Sequence, residues 1–86
     1  MLRGQTKTGF SFTLREEALD DMELLEVMIA VDDDASLLPK LLRMLLGEKQ
    51  KRRLYEHVRK IHGRVSIKAL SEEVFSMLQG ERTLKK

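Results

Sequence analysis

The chain has 86 residues and a mass of 10.0 kDa, with 42% hydrophobic and 35% charged residues, one proline, no tryptophan and no cysteine. That suits a single small domain over residues 1–86 and excludes disulfides, thiolate metal sites and a cysteine nucleophile; a chain this short buries only about 60–65% of its unfolded surface, too little for a catalytic cleft between two lobes. Net charge is +2, yet residues 1–43 hold five basic against nine acidic side chains and residues 44–86 eleven basic against five acidic, so charge is segregated along the sequence.

Residues 1–8 carry Arg3 and Lys7 without the apolar stretch of a secretory signal and are expected to be mobile. No apolar run approaches the ~18–20 residues that span a bilayer, so a soluble protein of the reducing cytoplasm is expected, without membrane contact. From Gly9 to Leu14 apolar and small polar residues alternate at period two, the pattern of a short extended arm or strand. A lone strand must pair with a copy of itself, pack on helices or stay free. Thr13 and Glu16 have the spacing of a capping box, which opens a first helix from about Arg15 to Val31. Its apolar positions spread around much of the cylinder, which predicts burial on more than one side.

Asp32-Asp33-Asp34 ends that helix, since short carboxylates compete for backbone amides and oppose the dipole at a helix C-terminus. A second helix is expected from near Ser36, with Pro39 tolerated in its first turn. Leu37, Leu38, Leu41, Leu42, Met44, Leu45 and Leu46 cover roughly 200° of it at 100° per residue, so it is either central or a core helix with a face to spare. Gly47 marks a bend before a third helix, Glu48 to His62, whose stripe is Leu54, Tyr55, Val58 and Ile61. Gly63 is its expected left-handed cap. Ser66 caps a fourth helix that presents Ile67, Leu70, Val74, Met77 and Leu78 on one face, with Phe75 off the stripe, and Gly80 closes it before a mobile tail over 80–86. The expected fold is mainly all-α, a compact bundle of about four helices with a short extended N-terminal arm.

The search for chemistry is negative. A calcium loop begun at Asp32 would place Leu37 and Arg43 where glycine and glutamate are required. His57 and His62 lie five apart, about 140° around a helix, and do not share a metal. No serine sits in a nucleophile elbow, and no glycine-rich phosphate loop occurs. Neither an enzyme nor a metal or cofactor is expected.

Two binding features remain. Lys49-Gln50-Lys51-Arg52-Arg53, with Arg59, Lys60 and Arg64, could meet phosphates, but without interleaved aromatics the stretch reads first as a solvated helix face, and nucleic-acid contact is disfavoured. The second feature is surplus apolar surface: Phe10 and Phe12 on the arm, Leu42 and Met44 in the broad stripe, and Phe75. Core filling, self-association and a partner groove are all open for these, and Arg52 and Arg53 are candidates to meet the acidic first helix of another copy, unless the two helices neutralise each other within one molecule.

Gly9-Phe10-Ser11-Phe12, Leu19-Asp20-Asp21-Met22-Glu23-Leu24-Leu25-Glu26, Leu38-Pro39-Lys40-Leu41, Leu45-Leu46-Gly47-Glu48-Lys49-Gln50-Lys51, Glu56-His57-Val58-Arg59 and Gly63-Arg64-Val65-Ser66, in that order and spacing, resemble the tail assembly chaperones of long-tailed siphophages and prophages of Gram-positive bacteria. The resemblance runs over about residues 7 to 79 and rests on fold-bearing positions. Met22 departs from it, because many members carry tryptophan there. It implies a small helical protein of the host cytoplasm, made during tail morphogenesis and absent from the virion. Such proteins coat and solubilise the tape-measure protein and help recruit tail-tube subunits, often through a second, frameshifted long form; Lys85-Lys86 could be encoded by a slippery site. A homo-oligomer is expected. The alternative is a small nucleic-acid-binding regulator using the basic third helix.

Overall fold

The computed structural model describes residues 2–84. A β-hairpin comes first, β1 (Leu2–Gln5) and β2 (Ser11–Leu14), and three α-helices follow: α1 (Met22–Val31), α2 (Leu38–His62) and α3 (Ile67–Leu84). A 3-10 turn over Glu16–Asp20 precedes α1 and another over Ala35–Leu37 precedes α2. The Cα radius of gyration is 12.1 Å, close to the ~12 Å of one compact body of this length.

The period-two stretch is a strand, as its pattern requires. Phe12 and Leu14 face the core, while Ser11 is exposed and Thr13 half-buried. The strand packs on a helix, one of the alternatives expected, and it also pairs with the preceding segment, in antiparallel register Leu2↔Leu14, Arg3↔Thr13, Gly4↔Phe12 and Gln5↔Ser11. Residues 2–5 are therefore strand where a mobile start was expected. The turn between the strands closes with Gly9 N–H donating to the Thr6 carbonyl at 3.0 Å and Thr6 N–H to that of Phe10 at 2.9 Å. β1 packs on α3, and β2 on α2.

The capping box does not form, because the hairpin register commits Thr13 to β2 and the 3-10 turn begins at Arg15 with no side-chain cap. Asp21 caps α1 instead, accepting from Glu23 N–H at 3.0 Å and Leu24 N–H at 3.3 Å. α1 is accordingly shorter than expected, and it is covered on one side only. Leu24 is buried, with Val27, Met28 and Val31 half-buried beside it, while Met22 and Ile29 are more than 60% exposed. Asp34 caps the 3-10 turn before α2: its Oδ1 accepts from both the backbone N–H (3.1 Å) and the hydroxyl (2.6 Å) of Ser36. Those two bonds to the carboxylate hold its pKa below the ordinary aspartate value.

α2 is the central helix. Leu38, Leu41, Leu42, Leu45 and Leu46 are buried in its first half, Leu54 and Val58 in its second. The second and third expected helices are the two arms of α2, run together across Gly47, whose φ of 83° and ψ of 166° break the helical path. Only glycine adopts that backbone without strain. Gly63, at φ 81°, caps the helix, its N–H donating to the Arg59 carbonyl at 2.7 Å. Ser66 caps α3 through Ala69 N–H at 3.2 Å. In α3 Leu70, Val74 and Met77 are buried and Leu78 half-buried, but Ile67, expected on the same face, is exposed in the first turn. Gly80 does not end α3, which continues to Leu84; one glycine costs a helix only about 1 kcal/mol, which Gln79, Glu81 and Arg82, all good helix formers, absorb. Lys85 and Lys86 lie outside the described residues. None of the described helices is long and apolar enough to cross a membrane.

Candidate functional site

The seven residues singled out as contact candidates separate into two groups. Phe10, Phe12 and Leu42 are inside the molecule, at 4%, 3% and 0% exposure; they build the monomer's own core and offer nothing to a partner. Met44 is half-buried against that core. Arg53 is bound internally: its guanidinium lies 5.2 Å above the Phe10 ring and donates to the Ser11 carbonyl at 3.1 Å. Arg52 shares Glu48 with Lys51, each at 3.6 Å. Of the seven, Phe75 remains as an exposed apolar side chain, open to 59%.

Phe75 stands on α3 at the edge of a cleft of about 520 Å³ between the helix and the hairpin turn, where Lys7, Thr8, Lys68, Glu72 and Glu73 also contribute to the wall. The turn is clasped to both long helices by polar side chains. Thr8 donates its hydroxyl proton to Glu73 Oε2 at 2.5 Å, and its oxygen lies 2.8 Å from His57 Nε2. A hydroxyl has one proton to give, so His57 donates to it and carries its own proton on Nε2. The Lys7 N–H donates to Ser76 Oγ at 2.9 Å, and Thr6 Oγ1 accepts from Phe10 N–H at 3.1 Å. The His57 ring also packs on Phe10, centroids 5.4 Å apart. Glu73 is 5% exposed, and its Oε1 has no partner among the described groups.

A hydroxyl between an imidazole and a carboxylate resembles nucleophile machinery in composition but not in direction. A histidine base must accept the hydroxyl proton, and here it donates to the oxygen. The cluster is a clasp that fixes one wall of the cleft. Sequence reasoning passed over it, weighing His57 only as a metal ligand and leaving Thr8 and Glu73 aside. The separations of 49 and 65 residues give no local signal.

The remaining exposed large apolar side chains fall in two places. Met22, Leu25 and Ile29 form one stripe along α1 at spacings of three and four residues, and Ile61 and Ile67 flank the turn between α2 and α3. Beside the α1 stripe lies a recess of about 340 Å³ lined by Leu25, Met28, Leu45 and Leu78, with Asp20 and Asp21 at its margin. Among the described residues no three His, Asp or Glu side chains gather as a metal site would require. The chain matches no family model, no curated protein and no solved structure.

Proposed function

We propose that this chain is a phage tail assembly chaperone, which binds and solubilises the tape-measure protein in the host cytoplasm and helps recruit tail-tube subunits through a longer frameshifted form. The sequence resemblance names the function. The observation that supports it is Phe75, a large aromatic left 59% exposed beside an open cleft in a chain whose other aromatics are largely covered. Aromatic side chains, phenylalanine among them, are enriched at the cores of protein interfaces. The groove takes a segment of the long helical tape-measure protein, its apolar stripe against Phe75.

The nucleic-acid alternative draws less support. Of the basic run over residues 49–53, Lys51 and Arg52 face Glu48 and Arg53 lies on Phe10, which leaves few of those cations for phosphates. Co-expression with a siphophage tape-measure protein tests the proposal: that protein should appear in the soluble fraction with the chain and precipitate without it. Phe75→Ser should keep its helical circular dichroism and lose this effect. A tape-measure protein equally soluble with and without the chain would refute the reading, and a salt-sensitive gel shift in its place would favour the regulator.

A further inference from the structure

Four cations gather at the bend of α2. Arg15, just past the end of β2, Arg43 on the first arm of the helix, and Lys49 and Arg53 on the second line one cleft of about 690 Å³, and among the described residues no carboxylate contributes to its wall. All four residues are exposed. Glu48, the one carboxylate in the sequence from Arg43 to Arg53, is engaged elsewhere: it pairs with Lys51 and Arg52, each at 3.6 Å, and neither of those lines the cleft. Among the described residues Arg15, Arg43 and Lys49 enter no ion pair.

A concavity walled by one sign of charge concentrates the opposite sign. Arg15 Nη2 reaches the Met44 carbonyl at 3.5 Å, and a guanidinium that holds one carbonyl keeps further N–H groups for an anion. The floor is unlike the rim. It is the half-buried Met44 beside the buried Leu45 and Leu46. One accessible apolar side chain among cations is the negative of a short acidic motif with a single apolar residue. An amphipathic helix would instead present a stripe of apolar residues at spacings of three and four. A phosphate backbone brings no apolar group to Met44, and single-stranded bases stack on aromatics, of which the cleft has none.

We propose that this cleft docks a short acidic segment of another protein, with one apolar side chain resting on Met44 and the flanking carboxylates taken by Arg15, Arg43 and Lys49. Arginine holds a carboxylate through two parallel N–H bonds, which fixes the segment's position as well as its charge. Arg53, on the Phe10 ring and the Ser11 carbonyl, adds its charge at the margin. A second copy of the chain does not supply the segment. Its acidic stretch from Glu16 to Asp34 is folded into the 3-10 turns and α1, with Ala18 and Leu24 buried, and the sequence after Gly80 carries Arg82, Lys85 and Lys86 against Glu81 alone. The cleft shares no lining residue with the one beside Phe75, so its occupant is a separate ligand, and the proposal stands or falls independently of tape-measure binding.

The test uses the full chain and a short fluorescein-labelled peptide of glutamate, aspartate and glycine with one central leucine. Fluorescence anisotropy at low salt should show saturable binding, and a peptide with serine in place of the leucine should bind about threefold more weakly or worse. Arg15→Glu with Arg43→Glu should weaken binding by about tenfold or more while circular dichroism stays unchanged. Lys60→Glu with Arg64→Glu makes the same change in net charge away from the cleft and should alter affinity by less than about twofold, because distant exposed charges are screened. Met44→Ser, once shown to be folded by circular dichroism, should bind the leucine and serine peptides alike. In NMR titrations the amides of Arg43, Met44, Gly47 and Lys49 should shift and that of Phe75 should not. No saturable binding, equal affinity of the wild-type chain for the two peptides, or equal losses from the two double variants would each overturn the proposal. So would an oligothymidylate that binds more tightly through Arg15 and Arg43, which would make the cleft a phosphate site. Shifts of the same amides on concentrating the chain alone would also overturn it, by giving the cleft to a second copy.

Discussion

The side-chain amide of Gln50 holds both backbone groups of Thr13, with Oε1 accepting from its N–H and Nε2 donating to its carbonyl, each at 2.8 Å. The same Nε2 donates to the Leu46 carbonyl at 2.9 Å, at the point where α2 bends. One glutamine thus closes the outer edge of β2, ties the hairpin to the central helix and serves a carbonyl beside the kink. A strand edge left bare would invite pairing with another chain; here it is occupied.

Gln50→Ala should therefore cost more than an ordinary half-buried substitution. It leaves three partly buried backbone groups without their partner, a loss of about 1–3 kcal/mol, or roughly 4–15 °C in melting temperature for a domain of this size. Gln50→Glu keeps an acceptor for Thr13 N–H but loses the donor to both carbonyls, and should be destabilised as well. Thermal and urea unfolding followed by circular dichroism check both.

Gly47→Ala isolates the backbone requirement. A Cβ built at this position meets nothing within 4 Å, so the substitution adds no clash and its whole cost is conformational, about 1–3 kcal/mol at φ 83° and ψ 166°. Gly63→Asn, at a left-handed cap that asparagine tolerates, should cost clearly less. Equal losses at the two positions in urea titrations would mean that the bend in α2 is not held as described.

Much of this fold is legible locally, and the boundary of that legibility is physical. The strand at Ser11–Leu14, the Pro39 start, the break at Gly47, the Gly63 cap and the Ser66 cap all follow from residues within a few positions of the element they define. What stayed hidden is long-range. Leu2–Gln5 has no strand pattern of its own, with Gly4 in its middle, and becomes strand only because β2 lies opposite. Thr13 reads as a helix cap until the register claims it. The contact candidates followed the same division: Phe10, Phe12 and Leu42 are indistinguishable in sequence from exposed apolar residues, and only packing reveals that they are core. The α1 stripe was missed as a surface because eight apolar residues between Leu19 and Val31 suggested burial on more than one side.

The clasp at the hairpin turn can be taken apart by a double-mutant cycle. Thr8→Val removes the donor to Glu73 and the acceptor of His57, leaving a buried carboxylate with neither oxygen satisfied, and should cost about 1–3 kcal/mol. Adding Glu73→Leu to Thr8→Val should recover part of that loss, since no buried charge remains. Strictly additive losses in denaturant unfolding would show that the two side chains do not act as a pair.

Leu42→Asp places a charge at a site with no exposure and should unfold the chain at room temperature, because burying an unpaired carboxylate costs several kcal/mol, comparable to the stability of a small domain. Leu42→Ala should remain folded with a loss of about 2–5 kcal/mol. Phe75→Ala, on the surface, should change stability by less than about 0.5 kcal/mol. Melting curves of the three variants separate core from surface.

Asp34 gives a pH dependence of known sign. Its pKa is lowered in the fold by the Ser36 hydroxyl and backbone N–H, so its contribution is present above the unfolded aspartate value and is lost as pH falls through the lower, folded one. The carboxylate is exposed, and the effect is local: NMR titration should find Asp34 protonating at lower pH than an aspartate in the unfolded chain, and in Ser36→Ala the difference should shrink.

The clasp also has a consequence for the order in which the molecule is made. Thr8 and Lys7 leave the ribosome early, yet their partners Glu73 and Ser76 come 65 and 69 residues later, and β1 packs on α3. Until α3 has emerged, the hairpin has no lid and the clasp no second half, so the nascent chain cannot fold piece by piece from its first residues. Completion of the fold therefore awaits α3 and requires loop closure over most of the sequence, the kind of long-range contact that slows folding. A stalled chain released before Glu73 would therefore be expected to hold β2 against α2 alone, with β1 uncovered and the clasp unmade.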